Sequence, residues 1–385
     1  VHIQIDRRSI FHSYCDRRRL YGVIIHMHKG YPNKVVAAMS GGVDSSAAAA
    51  ILVEQGYEVT GITLRMPRYG PEGRDEKSCC GREDTNDVRR VCDRLGIKLY
   101  VLDYRSKFEK TVLANFRREY ERGRTPNPCV RCNNWLKFGA LLDTARGMGA
   151  KYVATGHYVK KLWNPNIERY ELHRGSGEDD QSYFLFGLAQ SQLERALFPL
   201  GHMAKKDVRQ YAEKHGLPTH NKPGSQDLCF LPAGEYRDML RAENPELFEP
   251  GPIVHVSGEL LGQHNGLGAY TVGQRKGLGV AWHQPLYVVE INAEQNRLVV
   301  GEREYVMKQR ITAGDLNWVS LPPPKRPLQA MVKIRYNHDG ASGVVTPEDT
   351  DTVSVKFDEP QNAPAPGQAA VFYEQDKLLG GGFIK

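Results

Sequence analysis

At 385 residues with a 40% hydrophobic share, the chain has room for two or three domains and the composition of a soluble globular protein. No apolar run approaches the ~20 residues of a membrane helix, the longest being Ala47–Val53, so no membrane role is expected. Net charge is +7, of which residues 1–34 supply +5, and the nearly neutral remainder excludes a uniformly basic nucleic-acid-binding surface.

Residues 1–33 form a basic leader with Arg pairs and triplets. Two readings are open: an Arg-rich transit peptide, or an over-extended start with translation from Met27. The second is preferred, because the Ser-rich amphipathic pattern of a transit sequence is missing. Without a secretory apolar region, a reducing cytoplasm is the expected location. The seven cysteines, Cys15, Cys79, Cys80, Cys92, Cys129, Cys132 and Cys229, then read as reactive, metal-binding or core thiols rather than a disulfide framework.

From Lys34 the pattern alternates. Lys34–Met39 reads as a buried strand and Ser46–Gln55 as an Ala-rich helix stopped by Gly56. Glu58–Leu64 and Lys98–Asp103 are strands around a helix at Asn86–Leu95, where Val88, Val91, Cys92 and Leu95 share one face. A long helix over Ser106–Glu121 precedes a helix over Trp135–Met148 and a strand over Lys151–Thr155. Such alternation predicts a parallel sheet with helices on both faces. After about residue 245 short β-type runs dominate: Leu286–Ile291, Arg297–Val300, Ala330–Tyr336 and Thr352–Phe357. Ser320–Pro327, with its prolines, reads as a linker or exposed turn between β modules. The expected organisation is an α/β domain over 34–245, a small domain over 246–310 and a β-barrel over 311–385.

The strongest motif is Ser40-Gly41-Gly42-Val43-Asp44-Ser45-Ser46, between a strand and a helix. That position offers unpaired backbone N–H groups and the positive end of a helix dipole to a phosphate. Gly41 and Gly42 let the backbone approach the anion, and the serines add hydroxyls. Asp44 either caps the helix or holds a metal ion. The pattern is neither the Gly-Lys-Ser/Thr loop nor the dinucleotide fingerprint. It resembles the pyrophosphate loop of the ATP-pyrophosphatase superfamily, whose members cleave ATP between the α and β phosphates. Ligands of open α/β sheets lie beyond the carboxyl ends of strands, so Leu64 and Gly156 are candidates for the adenine and ribose walls.

The second motif is Thr125-Pro126-Asn127-Pro128-Cys129-Val130-Arg131-Cys132-Asn133. Its prolines predict an extended, rigid loop, with a helix starting near Asn134. Cys132 would then lie at a helix N-terminus beside Arg131, with a lowered thiol pKa. Cys229 lies far downstream in Gln226-Asp227-Leu228-Cys229-Phe230. Zinc is a poor fit, since no second CxxC pair exists. Two readings remain: an iron–sulfur (4Fe–4S) cluster on Cys129, Cys132 and Cys229, or thiol chemistry by Cys132 and Cys229. Cys92 reads as a core thiol.

Together with MSGGVDSS and GRTPNPCVRCN, the segments ATGHY, DDQSYFL, QDLCF, GAYTVGQRKGLG, KIRY and PGQAAVFY resemble the bacterial tRNA-specific 2-thiouridylase family, over roughly Lys34 to Lys385. The resemblance implies ATP-dependent 2-thiolation of the wobble uridine in the tRNA anticodon region. ATP, with Mg2+, would adenylate the uridine C2 oxygen. Cys229 would carry a persulfide charged by a cysteine desulfurase or sulfur-relay protein, and Cys132 would form a disulfide with Cys229. It also implies ATP contacts by Ala38, Met39, Ser40, Gly41, Gly42, Val43, Asp44, Ser45, Leu64 and Gly156. Asn127, Pro128 and Cys129 would meet the target base. His157, Asp179, Asp180, Gln181, Arg335, Tyr336 and Gln368 would contact tRNA. Many members carry Asp where this chain has Cys129, and that Asp has an acid/base role; a thiol there is either a poorer proton carrier or a cluster ligand. Ala38 replaces a frequent Gly.

RNA binding needs basic contacts. Arg122-Gly123-Arg124, Lys160-Lys161, Lys205-Lys206, Arg275-Lys276 and Lys333/Arg335 are candidates, with Tyr183, Phe184 and Tyr336 as base-stacking rings. Two rival functions remain: another adenylating ligase of the superfamily, which needs neither thiol, and a non-catalytic sulfur carrier or tRNA-binding protein.

Overall fold

A computed structural model describes residues 33–67, 69–70, 73–74, 82–223, 228–231 and 236–385. The leader with Cys15, and Cys79, Cys80, Gln226 and Asp227, lie outside the described residues.

The strand Lys34–Ala38 is central because its valines and alanines bury both faces. Val36 packs with Ile62, Phe138 and Val153 on one side. Val35 and Ala37 pack with Ala47–Ala50 and Leu52 on the other. The run of alanines lets the helix Val43–Glu54 lie close to the sheet. The sheet is parallel, in the order Lys98–Asp103, Glu58–Arg65, Lys34–Ala38, Tyr152–Ala154, Ala196–Leu197. The first strand therefore pairs outward on both sides, with Glu58–Arg65 and with Tyr152–Ala154. The order of connections reverses there, which opens a crevice beyond its carboxyl end.

Gly251–His255, Leu260–His264, Tyr287–Asn292 and Arg297–Gly301 build a separate four-stranded mixed sheet. Six strands between Met307 and Ile384 close into a barrel, as the first, Met307–Trp318, pairs with the last, Lys377–Ile384. Two strands absent from the sequence reading, Val159–Asn164 and Arg169–Arg174, form a hairpin that adds to the barrel through Leu172 opposite Leu378. Residues 320–327 join two strands of this one barrel that are consecutive in the chain but not paired, Met307–Trp318 and Leu328–Lys333, rather than two β modules.

The expected helix over Trp135–Met148 begins earlier. Asn127 accepts a hydrogen bond from Val130 N (3.4 Å), and Pro128 occupies the first helical position, where its fixed φ and missing N–H cost nothing. Pro128 therefore starts a helix instead of extending a loop. The helix runs on as Pro128–Arg131, then a π-helical stretch Cys132–Ala140, then Leu141–Gly147.

Candidate active site

The phosphate loop leaves the central strand at Met39, whose N–H bonds Ile62 O (2.8 Å). Gly41 takes φ +81°, and a Cβ there would stand 2.8 Å from Asp84 O. Gly42 caps the following helix in extended geometry with no side chain on its end. The first N–H groups are thus left for an anion. Ser40 N and Oγ both meet Ser45 Oγ, at 3.2 and 3.3 Å, while Ser45 and Ser46 donate to Gly42 O at 3.1 and 2.9 Å. These bonds fix the loop before any ligand arrives. Gly156 closes it from the next strand: a Cβ there would lie 2.7 Å from Asp44 C and 2.8 Å from Ser45 N.

Asp44 neither caps the helix nor stands open for a metal. Tyr158 donates its hydroxyl to Oδ1 (2.6 Å) and Lys205 its ammonium to Oδ2 (2.5 Å). Lys205 is thereby withdrawn from the expected RNA track. Lys222 ties Asp84 and Asp87 at 2.5 and 2.7 Å, behind Gly41. No sequence motif by itself marks Tyr158, Lys205 or Lys222 as part of this site. Tyr158 is still within reach of the sequence, since it ends the ATGHY segment beside Gly156. For Mg2+ the donors do not fit a protein-held site, since the loop's one carboxylate is already ion-paired.

The thiol loop is clamped by the barrel. Thr125 N donates to Pro366 O (2.7 Å), and Gln368 Nε2 donates to Thr125 O and Pro126 O (3.3 and 2.9 Å). Arg124 Nη2 donates to Ile384 O (3.0 Å). Gln368 thus holds the loop's backbone. Gly367 permits the approach, as a Cβ would sit 2.6 Å from Thr125 O.

Cys132 is buried and Cys129 half-buried, and no disulfide joins them. Burial pushes the Cys129 thiol up to about 11, with Cys229 adding to the rise and Lys137 opposing it. Cys132 is raised by burial as well, again against Lys137. This corrects the expected lowered thiol. Cys132 sits one turn inside the helix, not at its start. Arg131 turns away, onto Asp315 (2.7 Å) and the rings of Phe383 (3.9 Å) and Trp135 (4.9 Å). Cys229 is exposed and lies within electrostatic reach of Cys129. Its neighbour Phe230 anchors it: Phe230 O accepts from Tyr69 N (3.0 Å), and the ring packs on Phe108 and Phe116 at 5.3 and 5.6 Å. Phe230, Cys132 and Leu136 belong to one hydrophobic cluster. Among the described residues no three His, Cys, Asp or Glu side chains gather to hold a metal ion, so Cys129, Cys132 and Cys229 do not fit an iron–sulfur cluster.

His157 Nδ1 lies 2.7 Å from Thr155 Oγ1, and burial together with Lys137 holds the imidazole well below its usual pKa, hence neutral. Asp180 is spent on structure: it accepts from Gly175 N (3.1 Å), Ser182 N (3.0 Å) and Ser182 Oγ (3.0 Å). Gln181 accepts from Tyr158 N (3.2 Å). Asp180 and Tyr336 line a polar cleft of about 680 Å³ with Lys160, Arg174 and Lys333. Arg335 is exposed beside it, while Tyr336 packs on Phe184 at 4.5 Å. Two further expected RNA contacts fail. Lys161 is turned inward to Leu193 O and Ala196 O (2.9 and 2.7 Å), its amine lowered to about 8 by burial. Tyr183 is fully buried and donates to Ala369 O (3.0 Å).

Three family profiles tile the described body: "tRNA methyl transferase HUP domain" over residues 33–233, "tRNA methyl transferase PRC-barrel domain" over 238–302 and "Aminomethyltransferase beta-barrel domain" over 308–384. The chain is 47% identical over 355 residues to the tRNA-specific 2-thiouridylase MnmA of Carboxydothermus hydrogenoformans, covering 91% of this chain and 97% of the relative. The chain belongs to the tRNA-specific 2-thiouridylase family. The enzyme of that name from Heliobacterium modesticaldum is 47% identical over 91% of this chain and 92% of its own length, and that of Syntrophotalea carbinolica 46% over 91% and 98%. Membership agrees with the parallel-sheet domain carrying a phosphate loop, followed by a small β domain and a closed barrel. No helix among the described residues is long and apolar enough to cross a membrane.

Proposed function

We propose that this chain is an ATP-dependent tRNA 2-thiouridylase that replaces the C2 oxygen of the wobble uridine with sulfur. One observation supports joining its two loops in a single reaction. Lys137 acts electrostatically on Cys129, on Cys132 and on His157. His157 follows Gly156, which is pressed on the phosphate loop, and this supports a reaction in which nucleotide and thiols act together.

The residues divide the work. The N–H groups after Gly42 and the Ser40 and Ser45 hydroxyls hold the phosphates, and Tyr158 and Lys205 keep Asp44 in place at that helix turn. Uridine O2 attacks the α-phosphorus and expels pyrophosphate, which turns a poor leaving group into AMP. Cys229, exposed beside Cys129, receives sulfane sulfur from a cysteine desulfurase or relay protein. Cys132 attacks Cys229 Sγ, the S–S bond of the persulfide breaks, and the released sulfur adds to C2 and expels AMP. The resulting Cys132–Cys229 disulfide needs a thiol reductant, which suits a reducing compartment such as the cytoplasm. Arg335, Tyr336 and the cleft beside them are suited to the anticodon arm. Asn127 and Cys129 stand at the target base, where a thiol with a pKa of about 11 is a proton donor rather than a base at neutral pH.

The test is a pair of assays on full-length protein with tRNA and ATP. Asp44→Ala is expected to lose AMP formation. Cys229→Ser is expected to retain AMP formation and lose thiolation. Normal thiolation by Cys229→Ser would refute the sulfur route.

A further inference from the structure

The described thiols pose a problem that the reaction must solve. Burial raises both Cys129 and Cys132, and the thiolate is the nucleophile. Arg131, the nearest cation in sequence, is committed to Asp315 and to aromatic faces. The cation that acts on both thiols is Lys137, and its place follows from the helix's winding. Cys132–Ala140 is π-helical, so the N–H of a residue bonds the carbonyl five positions back, and Lys137 is five residues after Cys132. In an α-helix, five residues would carry Lys137 about 140° around the axis from Cys132. The wider π turn instead brings the two onto one side. Lys137 makes no ion pair among the described residues.

We infer that Lys137 is the positioning residue that favours the Cys132 thiolate against the cost of its burial, delivered by the π-helical turn of its own helix. The inference rests on the sulfur-transfer reading above. The ammonium favours the charged sulfur and so lowers the barrier to its attack on Cys229 Sγ. In that step the Cys132–Cys229 bond forms, the bond to the terminal sulfur breaks, and the electron pair leaves on that sulfur toward C2. The sulfane-sulfur donor and a thiol reductant complete the cycle. Other titratable groups around Cys132 act differently. Cys129 opposes the thiolate, His157 is neutral, and the phenols of Tyr69, Tyr104 and Tyr120 share the hydrophobic cluster.

The experiment compares wild type, Lys137→Met and Lys137→Arg in the full chain. Iodoacetamide labelling of the Cys132 peptide, read by mass spectrometry across pH, reports the thiolate directly. Lys137→Met is expected to label about tenfold more slowly at neutral pH, with the labelling profile displaced by about one pH unit to the alkaline side. Thiolation should follow the same displacement, while AMP formation stays normal. Lys137→Arg should keep the wild-type profile, which separates charge from packing. Superimposable labelling profiles for wild type and Lys137→Met would overturn the inference. Full thiolation by Cys132→Ser would fault the sulfur-transfer reading instead, since the labelling profile judges Lys137 without any turnover.

Discussion

Gly156→Ala puts one methyl against the backbone of the phosphate loop. At 2.7 Å from Asp44 C and 2.8 Å from Ser45 N, that methyl must gain about 0.7 Å to reach ordinary contact at 3.4 Å. Neither neighbour is the tip of a flexible side chain, so the retreat falls on the first turn of the helix Val43–Glu54. Overpacking of this kind costs about 1–3 kcal/mol. The catalytic cost should be larger, because misplacing reacting groups by ~1 Å can cost about a hundredfold in rate. The assay is tRNA-dependent AMP formation over a range of ATP concentrations, alongside thermal unfolding. A fall in kcat/KM of about a hundredfold, with unfolding lowered by only a few degrees, is the expected pattern. Gly147→Ala serves as control, since a Cβ there meets nothing within 4 Å. Wild-type kinetics in Gly156→Ala would refute the claim that this glycine sets the loop's position.

Cys129→Asp should remain active and contain no iron, because the described thiols do not form a cluster site; an iron-loaded, coloured wild type made colourless and inactive by this change would refute that. Stability should decline as pH falls below about 6.5, the ordinary imidazole value. His157, His202, His264 and His338 are all held below it by burial, so the unfolded chain binds more protons in that window. A urea midpoint unchanged between neutral and mildly acidic pH would contradict this sign.

Features that depend on local chemistry were legible in the sequence. Ser40–Ser46 announces itself because only glycine tolerates Gly41's φ and the close backbone of Asp84. The strand–helix alternation is likewise local. What escaped depends on distant segments. Val159–Asn164, with its Lys pair, gives little sign of a strand until the barrel supplies a partner. The pKa of Cys132 was read with the wrong sign, because burial outweighs the helix position and Arg131 finds Asp315, distant in sequence. Lys161 looked like surface charge, yet two carbonyls inside the molecule claim it. The π-helical stretch has no signature in CNNWLKFGA that propensities register.

The hairpin's place in the barrel has a consequence for biosynthesis. Leu172 pairs with Leu378, about two hundred residues later, so the edge of Arg169–Arg174 leaves the ribosome long before its partner exists. An uncovered strand edge is a template for pairing with other chains. A nascent chain must therefore carry this edge through most of translation, and one stalled before Leu378 keeps it permanently. Such fragments should be the ones that chaperones retain and proteases remove, so that few half-made enzymes persist with an ATP site but no barrel to hold the thiol loop.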